Sequence, residues 1–313
     1  MRMRRTLAFM VFAGCVLAIT VTNRAAETHS GSWTINKSDI AGKVEFMISE
    51  HRRGGTSSHS SDWAMSDFPG LDFSKSGHQE VQFTIMRDAG KIECEGYSKD
   101  GEGAGTFHFQ PDANYPREMK DLGFPIDDEK QFTMAVEDVS LAFAREMKNE
   151  HIEGLDADKL IAFRIFKVDA AFIHALRAEG LKASDSDKLV AFRIHGVTPQ
   201  MAHDLRAEGY SPDEDTLVAM RIHGASPEWI AMLKRRGYSH VDLEELIAFR
   251  IHGVSPEFID KLKGLGYSHP EPDQLVAMRI HNVTPEYISG LQARGMRDLS
   301  IDQLVGMKIH GID

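Results

Sequence analysis

Arg193-Ile194-His195-Gly196-Val197-Thr198-Pro199 decides the fold, because the chain repeats it. Arg221-Ile222-His223, Arg250-Ile251-His252 and Arg279-Ile280-His281 follow at steps of 28, 29 and 29 residues; Lys308-Ile309-His310 comes another 29 on, and Arg164-Ile165-Phe166 lies 29 before. Gly180, Gly209, Gly237, Gly266 and Gly295 keep this step, as do Phe172, Met201, Trp229, Phe258 and Tyr287. Phe143 to Met147 and Tyr115 to Met119 are two worn copies, both reading aromatic-x-Arg-Glu-Met, 28 residues apart. Self-similarity at a fixed period marks an array, here of seven units from about Asp112 to Asp313.

Each unit reads as two short helices. In Thr198-Pro199, Ser226-Pro227-Glu228, Ser255-Pro256-Glu257 and Thr284-Pro285-Glu286, a capping hydroxyl precedes a proline suited to the first helical position, and in three of them an acid favoured by the helix dipole follows. The second helix of a unit starts there and ends at the recurrent glycine, with Tyr210, Tyr238 or Tyr267 packing back beyond it. The first helix starts near Asp185, Asp242 or Ser300 and ends at His-Gly, as in His195-Gly196. Helices of about ten residues with short joints lie antiparallel and stack as an α-solenoid.

The faces assign roles. Trp229, Ile230 and Leu233 form one narrow stripe on a second helix, so the aromatic ladder reads as core packing before it reads as a ligand-stacking strip. On a first helix, Leu189, Val190, Ala191, Phe192, Ile194 and Val197 spread over most of the circumference, which predicts a helix sandwiched between neighbours. Arg193 falls inside that apolar arc. Arg164, Arg193, Arg221, Arg250 and Arg279 are therefore expected to bury their stems and hand their heads to a carboxylate or to helix-end carbonyls, as a structural ladder worth about 3 kcal/mol per head group. Anion binding is the alternative. His195, His223, His252, His281 and His310 fall on the polar side, too far apart from helix to helix to assemble a zinc site; no metal or other cofactor is expected. Leu304, Val305, Met307 and Ile309, on the last first-type helix, would lack a following neighbour, which predicts a docking end for a partner or for a second copy, end to end.

Before Pro111 the period is two. Trp33-Thr34-Ile35, Val44 to Ile48, Val81 to Ile85, Ile92 with Cys94, and Thr106 to Phe109 predict five or six antiparallel strands in a small sheet or sandwich, with a turn at Asp88-Ala89-Gly90. The glycines of Asp100-Gly101-Glu102-Gly103-Ala104-Gly105 read as a turn. Arg52 to Asp62 reads as a long polar loop. His51, His59, Ser60 and Asp62 lie in or beside it and make residues 51–63 the one place where a hydrolytic site is conceivable, although no nucleophile motif accompanies them.

Met1 to Thr6 is basic and Leu7 to Val21 is a 15-residue run, apolar except for Thr20, which suits a secretory signal better than a membrane span. Residues 1–26 are expected to direct export to the periplasm or beyond; the membrane enters only if this leader stays uncleaved or if Cys15 is lipidated. The leader's four arginines face no acid, so removing it takes the net charge from −11 to −15. Such a chain is repelled by phosphate backbones, which argues against a nucleic-acid partner. Cys94 would then be the only cysteine, leaving no internal disulfide. The expected architecture is α+β: a β domain over residues 27–111 and an array of 28- to 29-residue, two-helix repeats over 112–313.

The Arg-Ile-His-Gly-Val-Thr/Ser-Pro-Glu repeats resemble those of a group of uncharacterised exported bacterial proteins, in which a similar β unit and array stand alone or form the extracytoplasmic part of membrane zinc metallopeptidases of the β-lactam-sensor type. The resemblance covers nearly everything after the leader. The peptidase does not carry over, since no His-Glu-x-x-His occurs. The resemblance implies a sensing or scaffolding part. A non-enzymatic envelope protein that binds a protein or peptide on its repeats is the leading expectation, and an envelope hydrolase at residues 51–63 is the alternative. A nucleic-acid binder comes third: Ile194 to Pro199 has the look of a helix-hairpin-helix phosphate clamp, but Thr198 stands where its second glycine belongs.

Overall fold

The computed structural model describes residues 29–52, 55–69, 71–74 and 76–312. The leader, with Cys15, lies outside them. Six antiparallel strands, β1 (Ser30–Lys37), β2 (Lys43–Arg52), β3 (Gly55–Ala64), β4 (His78–Arg87), β5 (Gly90–Lys99) and β6 (Glu102–Pro111), form one sheet in the order β3-β2-β1-β6-β5-β4. Alternation puts Trp33, Ile35, Phe46, Ile48, Phe83, Ile85, Ile92, Phe107 and Phe109 on the buried face. Cys94 lies among them, and burial pushes its thiol up. The opposite face is polar and open to water.

The sheet curls about its buried face. Phe68, just past a 3-10 turn at Met65–Asp67, packs on Phe46 of β2 at 5.0 Å and on Phe83 of β4 at 5.6 Å, so one ring bridges opposite sides of the sheet. Such a curl needs room for Trp33. Gly103 supplies it, since a Cβ there would meet the indole at 3.2 Å; a Cβ on Gly105 would clash instead with the Glu95 carbonyl of the neighbouring strand. Only Asp100-Gly101 is the expected turn; Gly103 and Gly105 belong to β6, a correction to the sequence reading.

Fourteen helices follow among the described residues: α1 (Tyr115–Leu122), α2 (Asp128–Val136), α3 (Leu141–Asn149), α4 (Ala157–Phe166), α5 (Ala170–Ala178), α6 (Ser186–His195), α7 (Pro199–Ala207), α8 (Glu214–His223), α9 (Pro227–Lys234), α10 (Leu243–His252), α11 (Pro256–Gly264), α12 (Pro272–Ile280), α13 (Pro285–Ala293) and α14 (Ile301–Ile309). None is long and apolar enough to cross a membrane. Thr198, Ser226, Ser255 and Thr284 cap the odd-numbered helices through their hydroxyls, and Asp185, Asp242 and Ser300 cap even-numbered ones. Helices two apart in sequence are neighbours, which separates an even layer from an odd one.

Sheet and array share one continuous apolar core. Phe132 of α2 stacks on Phe107 and on the buried His29, whose Nδ1 meets Glu50 at 2.7 Å. Gln131 donates to the carbonyls of Ala89 and Asp112, which fixes the β4-β5 turn against the first helices. Farther along, tyrosines tie unit to unit: Tyr210, Tyr238 and Tyr267 donate to the carbonyls of Val241, Pro270 and Leu299. Burial pushes the Tyr238 phenol up to about 12. An unfolded tyrosine titrates near 10, so this proton is held more tightly in the folded state; the resulting stabilisation is complete below about pH 10 and is lost as the pH rises through about 12. Tyr238→Phe should therefore cost about 1 kcal/mol near neutrality and give a shallower loss of melting temperature between pH 10 and 12, followed by circular dichroism; an unchanged alkaline slope would refute the staple.

Candidate functional site

The left-handed residue that ends each even-numbered helix organises the array. Gly196, Gly224 and Gly253 take this conformation with φ near +70° to +75°, where a side chain is strained. The arginine one unit later lies across them. Arg221, Arg250 and Arg279 donate through Nε to the carbonyls of His195, His223 and His252 at 3.1–3.2 Å, and their Nη2 atoms lie 2.8–3.0 Å from where a glycine Cβ would stand. Glycine suits this position twice over, for its left-handed backbone and for the arginine head that lies close above it.

Three steps lack the glycine, and at two of them the arginine contact changes. Lys167 holds the left-handed position below Arg193, whose Nε is buried without a partner and whose head sits instead 3.7 Å above the Phe172 ring. Burial pulls that guanidinium below its usual range. Asn282 holds the position at the last step, and there the arginine itself gives way to Lys308, 4.0 Å above Tyr287. Asp138 holds it at the first, where its carboxylate accepts from Arg164 Nη2 at 2.8 Å while Glu137 offers the carbonyl. Arg164, Arg250 and Arg279 also cover Phe143, Trp229 and Phe258. The arginine and aromatic periodicities are thus two halves of one contact, a connection the sequence reading did not make.

The expected burial of these arginines is corrected. Arg221 and Arg250 are exposed, and Arg164, Arg193 and Arg279 only half-buried. Each inner even-numbered helix has two neighbours in its own layer and the odd layer behind it, so its remaining face is open. On that face stand Ile165, Ile194, Ile222, Ile251, Ile280 and Ile309, 46–58% exposed, in register along six helices. In the helix expected to be sandwiched, Leu189 and Phe192 are buried but Ile194 faces water, a correction to that expectation. At 100° per residue Asp187, Val190, Ala191 and Ile194 fall within about 100° of arc, so an acid row, a half-buried Val/Ala band and an isoleucine row run side by side across the layer.

The other candidates fare differently. Residues 55–64 are a strand, β3, paired with β2 along its length, so the polar loop expected from Arg52 to Asp62 is corrected; serine-rich alternation conceals a strand that needs only Trp63 for the core. His51 stands in β2 opposite Thr56. Ser60 donates to Glu45 and Asp62 accepts from Ser38, both on the open face, whereas the adjacent His59 points to the other face and lies 3.4 Å from Glu137. Strand alternation therefore keeps His59 apart from Ser60 and Asp62. In the Ile194 to Pro199 turn, the amides of Gly196 and Val197 are already bonded to Arg193 and Phe192, that of Met201 to Thr198, and Pro199 has none, so the amides a phosphate would use are taken. His195 and His223 are exposed at separate helix ends, and no group of three metal-binding side chains occurs among the described residues. At the last helix, Leu304 is 1% exposed, like its counterparts, and Ile309 is as exposed as its counterparts within the array; of the four residues expected to form an open end, Met307 is the one that end position uncovers, half-buried where Phe249 and Met278 are fully buried.

Two substitutions test the arginine contact. Lys167→Gly should raise stability by about 1 kcal/mol by relieving the left-handed side chain and freeing the Phe166 carbonyl for Arg193, while Arg221→Met should cost about 1 kcal/mol, well short of the 3 expected for a buried head group. Thermal melts read both, and a Lys167→Gly variant no more stable than the parent would dismiss the steric account. Compared with family models, curated proteins and solved structures, the chain matches none.

Proposed function

We propose that the chain is a non-enzymatic binding or scaffold protein of the bacterial cell envelope, exported through its leader, and that its helical repeats dock a protein or peptide on the solvent face of the even-numbered helices. One observation carries this reading: six isoleucines at the same helical position, all more than two-fifths exposed, in line across α4, α6, α8, α10, α12 and α14. Apolar residues scattered on a surface need no explanation, whereas a continuous apolar row does. Its upkeep is not structural, since the buried positions of the same helices already hold Leu189, Phe192, Leu246 and Phe249. The sensing role implied by the resemblance would use the same face. The acidic body disfavours nucleic acid and anionic lipid as partners.

A photo-crosslinking amino acid at Ile194 or Ile251 of the full chain in cells should give protein adducts, and one at Lys234 or Lys263 in the odd layer should not. Ile194→Ser with Ile251→Ser should abolish association with the crosslinked protein while changing stability by under about 0.5 kcal/mol per site. Adducts confined to the odd layer, or none in either, would overturn the reading.

A further inference from the structure

The acid row beside the isoleucines is neutralised along only part of its length. In the first units a lysine at the third helical position reaches the acid of the next even-numbered helix: Lys130 to Asp158 at 3.3 Å, Lys159 to Asp187, and Lys188 to Asp215 at 2.6 Å. Each lysine is held above its ordinary range by that aspartate, chiefly through the hydrogen bond. From α8 onward the lysine disappears. Thr216, Glu245, Gln274 and Gln303 occupy its position, and Glu244, Asp273 and Asp302 stand exposed with no lysine or arginine of the described residues paired to them. Alongside run Ile222, Ile251, Ile280 and Ile309, the four most exposed of the row together with Ile194.

The dimensions of this half-array suit a helix. Asp273 and Ile280 are seven residues apart on one helix face, about 10.5 Å along its axis, so the acid and isoleucine rows flank a band about as wide as an α-helix. Packed helices step by about 8–10 Å, which a helix lying across them matches with side chains recurring every sixth or seventh residue.

We propose that α8 to α14 dock a basic amphipathic α-helix of a protein partner, its apolar stripe over Val218, Ile247, Val276 and the four isoleucines, its lysines or arginines taking the place that Lys130, Lys159 and Lys188 fill in the earlier units. The proposal rests on the protein-binding reading above and specifies the partner's chemistry and the half of the array that meets it. The pattern of pairing within the chain is the argument: the first units supply their own cations to the acid row, and the later units leave that place to another molecule.

Fluorescence anisotropy with the full chain tests it. The probe is a synthetic helical peptide of about 21 residues carrying leucines at heptad spacing and lysines along one flank; comparison peptides replace lysine by glutamate, or scramble the sequence at fixed composition. The lysine peptide should bind, and the other two at least tenfold more weakly. Glu244→Lys, Asp273→Lys and Asp302→Lys together should weaken the lysine peptide at least tenfold, whereas Glu228→Lys, Glu257→Lys and Glu286→Lys, the same charge change on the odd layer, should alter it less than threefold, with helicity of both variants checked by circular dichroism. No binding of the lysine peptide, equal binding of the scrambled one, or equal weakening by the two triple variants would overturn the proposal. Co-sedimentation with phosphatidylglycerol vesicles that Ile251→Ser abolishes would overturn it too, by assigning the face to a lipid surface. Crosslinks at Ile194 and Ile251 that persist while the lysine peptide fails would leave the protein-binding reading standing without the basic helix.

Discussion

An arginine lying over the left-handed end of the preceding helix is the constraint on which the array depends. The end of an α-helix leaves carbonyls without partners, and in a stack of short helices every such end faces the next unit. Arg221, Arg250 and Arg279 bond one of those carbonyls, cross the glycine that closes the helix and, at Arg250 and Arg279, roof an aromatic ring of the odd layer. One side chain thus couples two helices of its own layer to one of the other. The irregular steps show the coupling at work, since Lys167 leaves Arg193 without its carbonyl and Asn282 coincides with the loss of the arginine.

Because this contact is made at the helix ends, the middle of each even-numbered helix is left to the core on one side and to water on the other. Leu246 and Phe249 fill the first side completely. Ile247, Ala248 and Ile251 occupy the second, with Glu244 at its edge. Among the described residues the odd layer has no comparable apolar row; Glu228, Glu257 and Lys263 are exposed there and Lys234 is half-buried. A two-layer stack with unlike outer faces gives the molecule a front and a back.

Most of the architecture was legible in the sequence. The period, the capping residues and the left-handed glycines follow from local chemistry, and the strands at Trp33, Phe46, Phe83 and Phe107 follow from alternation. Two features were not. β3 has almost no apolar content because it is an edge strand whose inward positions are covered by little besides Trp63 and Phe68, so its serines read as coil. Ile194 looked buried because periodicity counts apolar residues around a helix without knowing how many sides have neighbours. That information lives in the stacking, and the surplus of apolar residues over what two layers can cover was the available signal.

The direction of the ties has a further consequence. Arg250 reaches back 27 residues to His223 and Tyr238 forward 32 to Pro270, so these bonds reach no farther than the neighbouring repeats. The sheet is the exception, with Ser30 paired to His108. A polypeptide emerging amino-terminus first from a ribosome therefore completes its one topologically demanding element before any repeat appears. Every later hairpin then condenses on a finished template, and growth proceeds as a zipper with short loops to close rather than as a search of the whole chain.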